Sequence, residues 1–441
     1  MTVFLERVAL RNYKSIAACD VRLGPSTFLV GRNGSGKSNF VDALRFVTDS
    51  LVASLDHAIR ERGGINEVRR RSEGHPTHFG VRFHFRLASG SSGTYVFEVA
   101  ARSRGAFEVQ VEECFVRGPA PAHFRVEGAV VRRTSVQSPP PAAADRLYLV
   151  QAASRSEFRE LYDAFARAGF YNLVPNEIRE LQPPEEGSIL RRDGSNLASV
   201  IGRLQDEQPE TRERIEQYLE KIVPGVRGVT RKPLGPRETI EFRQEVGETE
   251  SPWRFLAANM SDGTLRALGI LVALFQPNGQ SRPSAPLVGI EEPENALHPA
   301  ALGVLLDAMR EASRIRQVLV TSHSPDLLDD SSIQADEVLV VEQLKGRTRI
   351  GPVDEVTRGL LQDHLRTPGE LLRMDQLFPD LAVEPDDRGK NLRTEPGSGR
   401  PRAGARLRPG GAVPILSKVC QGTRQLRCGL DRGHDVKKKL V

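Results

Sequence analysis

The sequence predicts an α/β fold with a mixed or parallel core sheet, an antiparallel β subdomain and a helical insertion. Three observations predict it. The buried-strand run Phe28-Leu29-Val30 leads through a glycine-rich loop, Gly31 to Ser38, into a helical pattern. Residues 79–131 contain three strand-like runs, "FGVRFHFRL", "TYVFEVAAR" and "AFEVQVEECFV", which read as a β-meander. From Gly263 onward, helix and strand patterns alternate, as in sheets whose strands are joined by crossover helices.

Each element has its own reason. "FLERVALRNYKS" and "CDVRLGPSTFLVG" read as two or three short strands, the first by its alternation. The helix after the loop runs from Lys37 to about Ile59, because Val41, Leu44, Val47, Leu51 and Leu55 recur at three and four. "QSPPPAAAD" (Gln137 to Asp145) reads as a linker. Residues 154–223 read as helices broken at Pro175, Pro183-Pro184 and Pro209. "GVTRKPLG" and "ETIEFRQEV" return to strands. A helix (Gly263 to Phe275), a strand (Leu287 to Ile290), a helix (Pro299 to Arg314), a strand (Gln317 to Thr321) and a final hairpin in "EVLVVEQLKGRTRI" follow. The expected organisation is an N-terminal lobe at 1–136, a helical insertion at 145–225, a C-terminal lobe at 226–380, and a basic Gly/Pro/Arg-rich tail at 381–441 without core-forming periodicity.

Composition narrows the function classes. A chain of 441 residues with 39% apolar and 27% charged residues reads as globular. The apolar run Leu268 to Phe275 is far shorter than the roughly 18 residues of a membrane span. The start shows no basic segment followed by an apolar block, so no signal peptide is expected. Four cysteines without metal-ligand spacing suggest a reduced, cytoplasmic setting. The net charge of +5 belongs to the tail. After Asp380 there are 14 Lys and Arg against 6 Asp and Glu, leaving 48 against 51 in the body. The basic balance is therefore no sign that the body binds nucleic acid.

"GRNGSGKS" fits G-x-x-x-x-G-K-[ST] in the context that gives it meaning, after a strand and before a helix. Gly34 and Gly36 let the backbone curl so that successive N–H groups face phosphate oxygens, and the helix start adds its positive end. Lys37 reaches the β- and γ-phosphates of ATP, and Ser38 reaches Mg2+. "LVGIEE" is an apolar strand ending in two acids. Glu291 is expected to hold the metal and Glu292 to polarise the attacking water. Glu294 is left as a solvated or ion-paired residue. "NMSDGTLRALGIL" (Asn259 to Leu271) reads either as a plain N-cap by Ser261 or Asp262 or as a second phosphate cradle. His323 follows a buried strand in "VLVTSHSPDLLD", at the end where α/β sheets carry ligands.

Taken in order, these motifs resemble an ABC-type ATPase head of the RecF/SMC/OLD-like group, AAA-family ATPases of an AAA15-like kind often found in phage-defence systems. "NYKS", "GRNGSGKSN", "IEEPENALHP" and "TSHSP" carry the resemblance, over roughly residues 1–375. It implies ATP and Mg2+ as cofactors, with Gly31, Asn33, Gly34, Ser35, Gly36, Lys37, Ser38 and Asn39 at the nucleotide, and Ser38 and Glu291 at the metal. It implies Glu292 and His323 as catalytic residues, His323 as a switch at the γ-phosphate. It further implies that Ser261 and Gly263 bind the γ-phosphate of a second protomer, that Asn295 to Leu297 cross a head-to-tail interface, and that the chain forms a homodimer or higher oligomer. The signature departs from the common pattern through Asp262, and Walker B through Glu in place of Asp at 291. The glutamine loop has no clear match; Gln151 is its nearest candidate. Tyr13-Lys14 are candidates for an adenine contact.

Three functions compete. The first is an ATPase whose dimerisation drives a separate effector (a nuclease or toxin) or DNA, in anti-phage defence or DNA repair, without a membrane. The second is the nucleotide-binding subunit of a transporter. The third is an OLD-type ATPase-nuclease; the short basic segment after the final hairpin leads us to expect any nuclease on a separate polypeptide.

Overall fold

A computed structural model describes residues 4–72, 76–247, 252–276 and 285–380. The expected tail, 381–441, lies outside the described residues. The chain opens with β1 (Leu5–Tyr13), β2 (Ile16–Arg22) and β3 (Ser26–Val30), followed by α1 (Lys37–Val52), α2 (Leu55–Arg60) and α3 (Ile65–Val68). The single helix expected from Lys37 to Ile59 is therefore two. Ser54 is extended, and its Oγ accepts from His57 N at 3.0 Å, capping a new helix where the first one stops. The meander is β4 (His78–Arg86), β5 (Ser92–Ala101), β6 (Phe107–Arg117), β7 (Ala122–Glu127) and β8 (Val130–Thr134).

The helical stretch contains α4 (Leu149–Ala152), α5 (Ser156–Ala166), α6 (Pro175–Arg179), α7 (Leu197–Glu207) and α8 (Pro209–Ile222), together with a short strand, β9 (Gly169–Tyr171), that the sequence did not suggest. Three residues are too few to show an alternation, and its partner lies more than a hundred residues away. Next come β10 (Val226–Leu234), β11 (Arg237–Gln244), the unanticipated β12 (Trp253–Leu256), α9 (Asp262–Phe275), β13 (Leu287–Glu291) and α10 (Pro299–Ala312). β14 (Gln317–Ser322), α11 (Pro325–Leu328), β15 (Val338–Leu344), β16 (Arg347–Pro352), α12 (Glu355–Gln362) and α13 (Pro368–Arg373) complete the described chain. Among the described residues, no helix is long and apolar enough to cross a membrane.

Thirteen strands form one sheet in the order β8-β7-β6-β5-β4-β1-β2-β16-β15-β3-β14-β13-β9, and β10-β11-β12 form a separate antiparallel sheet. Within the large sheet, β15, β3, β14, β13 and β9 are mutually parallel. β16 flanks this block antiparallel to β15, and it joins the rest of the sheet at one pair, Thr348 with Ile16 of β2. Both faces of the parallel block are covered, which is why its strands read as continuous apolar runs. Leu29, Leu287 and Leu319 point into one core with α1 and α5. Phe28, Val30, Val288, Ile290, Val318 and Val320 point into the other with α9 and α10. Each such side chain contributes about 1.5–3 kcal/mol by leaving water. The carboxyl ends of β3, β13 and β14 are thereby held side by side.

Candidate nucleotide site

The loop after β3 is shaped by two glycines with left-handed backbone, Gly34 (φ 77°) and Gly36 (φ 107°). Any side chain at Gly36 would strike Thr348 Oγ1 at 2.2 Å. Thr348 is a keystone here. Its Oγ1 donates to the Ser35 carbonyl at 2.9 Å and lies 2.7 Å from Ser15 Oγ, which accepts from Asn39 Nδ2 at 2.6 Å. The sheet's junction strand thus holds the loop from below. The N–H groups of Gly36, Lys37 and Ser38 make no backbone hydrogen bond in the described structure, and Gly36 caps α1 without a side chain. Ser35 Oγ is buried without a partner. Asn33, Gly34 and Ser38 are exposed along the same loop.

Lys37 folds over its own loop, donating from Nζ to the carbonyls of Gly31 (2.7 Å) and Arg32 (3.0 Å). Burial lowers the pKa of its ammonium, and the charges of Glu292 and Glu294 oppose that shift. The lysine of the loop and the acids after β13 therefore share one electrostatic site. A groove of about 260 Å³ flanks Gly31 to Ser35, walled by Val341, Glu342, Leu377 and Phe378.

Glu291 ends β13 and is buried; its Oε1 accepts from Arg192 Nη2 at 2.9 Å. Glu292 stands in the left-handed region (φ 47°), with its N–H donating to the Thr321 carbonyl at 3.0 Å. That turn sends the two adjacent acids in different directions. Glu292 Oε2 accepts from Asn295 Nδ2 at 2.9 Å, and its Oε1 lies 3.3 Å from His323 Nδ1, without the angles of a hydrogen bond. Glu294, expected to be solvated or ion-paired, is not solvated, and His323 Nδ1 lies 3.7 Å from its Oε1. Glu294 is buried, and its Oε1 accepts from Ser322 Oγ (2.7 Å), His323 N (3.1 Å) and Ser324 N (3.2 Å). Those three donors converge because the chain turns immediately after β14, and the carboxylate satisfies them all at once. It thereby fixes the backbone that carries His323.

Ser261 takes the plain N-cap role at α9, its Oγ accepting from Thr264 N at 3.2 Å. Asp262 pairs with Arg179. Gly263 has no room for a side chain, which would meet the Ala296 carbonyl at 2.4 Å, so the start of α9 packs on residues 295–297 of its own chain. Neither Ser261 nor Gly263 bonds to residues 31–39 in the described structure. Gln151 lies on α4. Tyr13 is fully buried, donating to Asp42 Oδ2 at 2.8 Å, and Lys14 pairs with the same carboxylate at 2.6 Å.

Two residues escaped the sequence reading. Arg266 of α9 is buried and donates to the carbonyls of Leu173, Glu291 and Glu292. A lone arginine in the otherwise apolar "LRALGILVALF" was a usable signal, because a buried guanidinium needs acceptors. Arg192 carried no such signal. The cradle of free N–H groups, the unpartnered Ser35 hydroxyl and the carboxylates facing Lys37 fit a magnesium nucleotide.

A family model described as "AAA domain, putative AbiEii toxin, Type IV TA system" matches residues 26–329. The chain belongs to this AAA-domain family. Across its length this AAA-domain protein is similar to the OLD nuclease of Thermus scotoductus, 22% identical over 425 residues, covering 87% of the chain and 75% of that protein. It is also similar to the Old nuclease of Escherichia phage P2, 21% identical over 363 residues, covering 74% of the chain and 58% of that protein. A 47-residue stretch is 47% identical to the DNA replication and repair protein RecF of Porphyromonas gingivalis. Among solved structures, the SmcHead bound to the C-winged helix domain of ScpA matches with a TM-score of 0.50 at 17% identity, covering 79% of the chain and 96% of that structure. An Smc head domain derived from Pyrococcus furiosus, bound to the C-terminal domain of ScpA, matches with a TM-score of 0.52 at 12% identity, covering 82% and 99%. The fold is that of an SMC-type head, and these likenesses agree with the resemblance to the RecF/SMC/OLD group that the motifs carry.

Proposed function

We propose that this AAA-domain protein is a cytoplasmic, Mg2+-dependent ATP-hydrolysing switch. Two copies bind ATP between them head to tail, separate after hydrolysis, and pass that change to an effector protein or to DNA in anti-phage defence or DNA repair. The observation that carries the reading is the loop of free N–H groups at Gly36, Lys37 and Ser38 with the Lys37 ammonium folded over it, and Glu292 3.3 Å from His323.

Lys37 exchanges the carbonyls of Gly31 and Arg32 for phosphate oxygens, while the N–H groups of Gly36, Lys37 and Ser38 surround them. Asn33 and Asn39 flank the nucleotide. Ser38 and Glu291 hold the metal, which when bound draws charge from the phosphates and orients them. Glu292 accepts the proton of the attacking water, and Asn295 and His323 hold its carboxylate in place. Ser261 and Gly263 offer the positive end of α9 to the phosphate bound by the other copy. The likeness to two OLD nucleases supports a second reading, in which the chain is the ATPase portion of an ATPase-nuclease.

Nucleotide binding, phosphate release and light scattering test this together. Lys37→Ala should lose ATP binding. Glu292→Gln should bind ATP, turn over at least about 100-fold more slowly, and accumulate as a dimer. Wild-type affinity in the first variant, or wild-type turnover in the second, would refute the assignment.

A further inference from the structure

The buried carboxylate of Glu291 already has a cation, and it comes from the helical stretch. Arg192 lies in the loop between α6 and α7, 99 residues before Glu291 in the chain. Its backbone is pinned. The Arg192 carbonyl accepts from Asn172 N at 3.0 Å, just past the end of β9, and the Asp193 carbonyl accepts from Val174 N at 3.0 Å. Leu190 N donates to the Gln276 side chain at 3.1 Å, and Ser195 N to Asp193 Oδ1 at 3.0 Å. The side chain is not pinned. It is 44% exposed, against 11% for the side chain of Glu291, and a single N–H···O bond joins the two. The Arg192 arm can swing while its loop stays still.

The charges explain why such an arm exists. A buried carboxylate left alone is costly, so Glu291 needs a positive partner whenever it holds no metal. A half-exposed, single-bonded guanidinium supplies one weakly. It would yield to a divalent cation, which carries twice the charge.

We propose that Arg192 is the resident counter-ion of Glu291, a positioning residue that competes with Mg2+ for this carboxylate and so sets the Mg2+ level at which nucleotide is held. The proposal rests on the ATPase reading, which takes Glu291 as a metal ligand. It makes the loop between α6 and α7 the carrier of the competitor.

The test titrates Mn2+ into the full chain at a saturating non-hydrolysable ATP analogue, with free Mn2+ read by electron paramagnetic resonance. Arg192→Met should bind Mn2+ roughly 2- to 5-fold more tightly than wild type, and Arg192→Lys should stay nearer to wild type. Without Mn2+ the melting temperature of Arg192→Met should fall, and Mn2+ with nucleotide should restore it; a merely structural loss would lower both. Unchanged or weaker Mn2+ binding in a folded Arg192→Met protein overturns the proposal. Lys37→Ala separates the two failures. If wild type has no nucleotide-dependent Mn2+ site beyond that of Lys37→Ala, the ATPase reading and this proposal both fail. If it has one and Arg192→Met leaves it unchanged, only this proposal fails.

Discussion

Glu292 Oε1 and His323 Nδ1 lie 3.3 Å apart at the ends of two neighbouring parallel strands. The first residue follows β13 and the second follows β14. Strand pairing alone, Glu291 opposite Thr321, brings them together. On the proposed mechanism His323 steadies the base and does not bind the nucleotide's body. His323→Ala should therefore leave the KM for ATP near wild type and lower kcat roughly 100-fold, measured by steady-state phosphate release. A rise in KM with kcat preserved would refute that division of labour.

Behind the nucleotide loop, Asp42 gathers Tyr13, Lys14, Arg45 and Arg62 on one carboxylate. Burial alone would raise its pKa, but Arg62 and Lys14 outweigh burial and hold it well below the ordinary carboxylate range. A depressed folded value means stability that is present above the unfolded pKa and lost as pH falls below it. Asp42→Asn leaves Arg62, whose side chain is only 2% exposed, with Asp49 as its remaining carboxylate. We expect a loss of roughly 1.5–3 kcal/mol in urea unfolding at pH 7, and a smaller difference from wild type at pH 3.

Glu112 titrates the other way. It is fully buried on β6 and accepts from the N–H groups of Tyr148 and Leu149 and from Tyr95 Oη. Burial raises its pKa to about 7 in spite of those donors. A raised folded value means stability fully present below the unfolded pKa of 4.5 and lost as pH rises through about 7. Urea unfolding between pH 5 and pH 8 should show stability falling by up to about 3 kcal/mol from this group. Glu112→Gln should flatten that slope, and an unchanged slope would assign it elsewhere.

Much of the site was legible because it obeys local rules. β3, β13 and β14 bury both faces, so they stand out as apolar runs, and the spacing of "GRNGSGKS" follows from the backbone path that phosphate binding requires. The break at Ser54 was less legible, since the apolar spacing continues through Leu55 and hides the cap. The buried role of Glu294 left no trace, because its three donors lie 28 to 30 residues later.

By itself, then, the sequence determined the loop, the two acids at the end of β13, the histidine after β14 and the class of fold, because each depends on neighbours within a few residues. Tertiary structure decided what holds them. Thr348 reaches the Ser35 carbonyl across 313 residues, Arg192 reaches Glu291 across 99, and Arg266 reaches the Glu291 carbonyl across 25. A lone polar residue does not announce its partner in sequence. Only the order in which the strands are laid down brings donor and acceptor within hydrogen-bond reach.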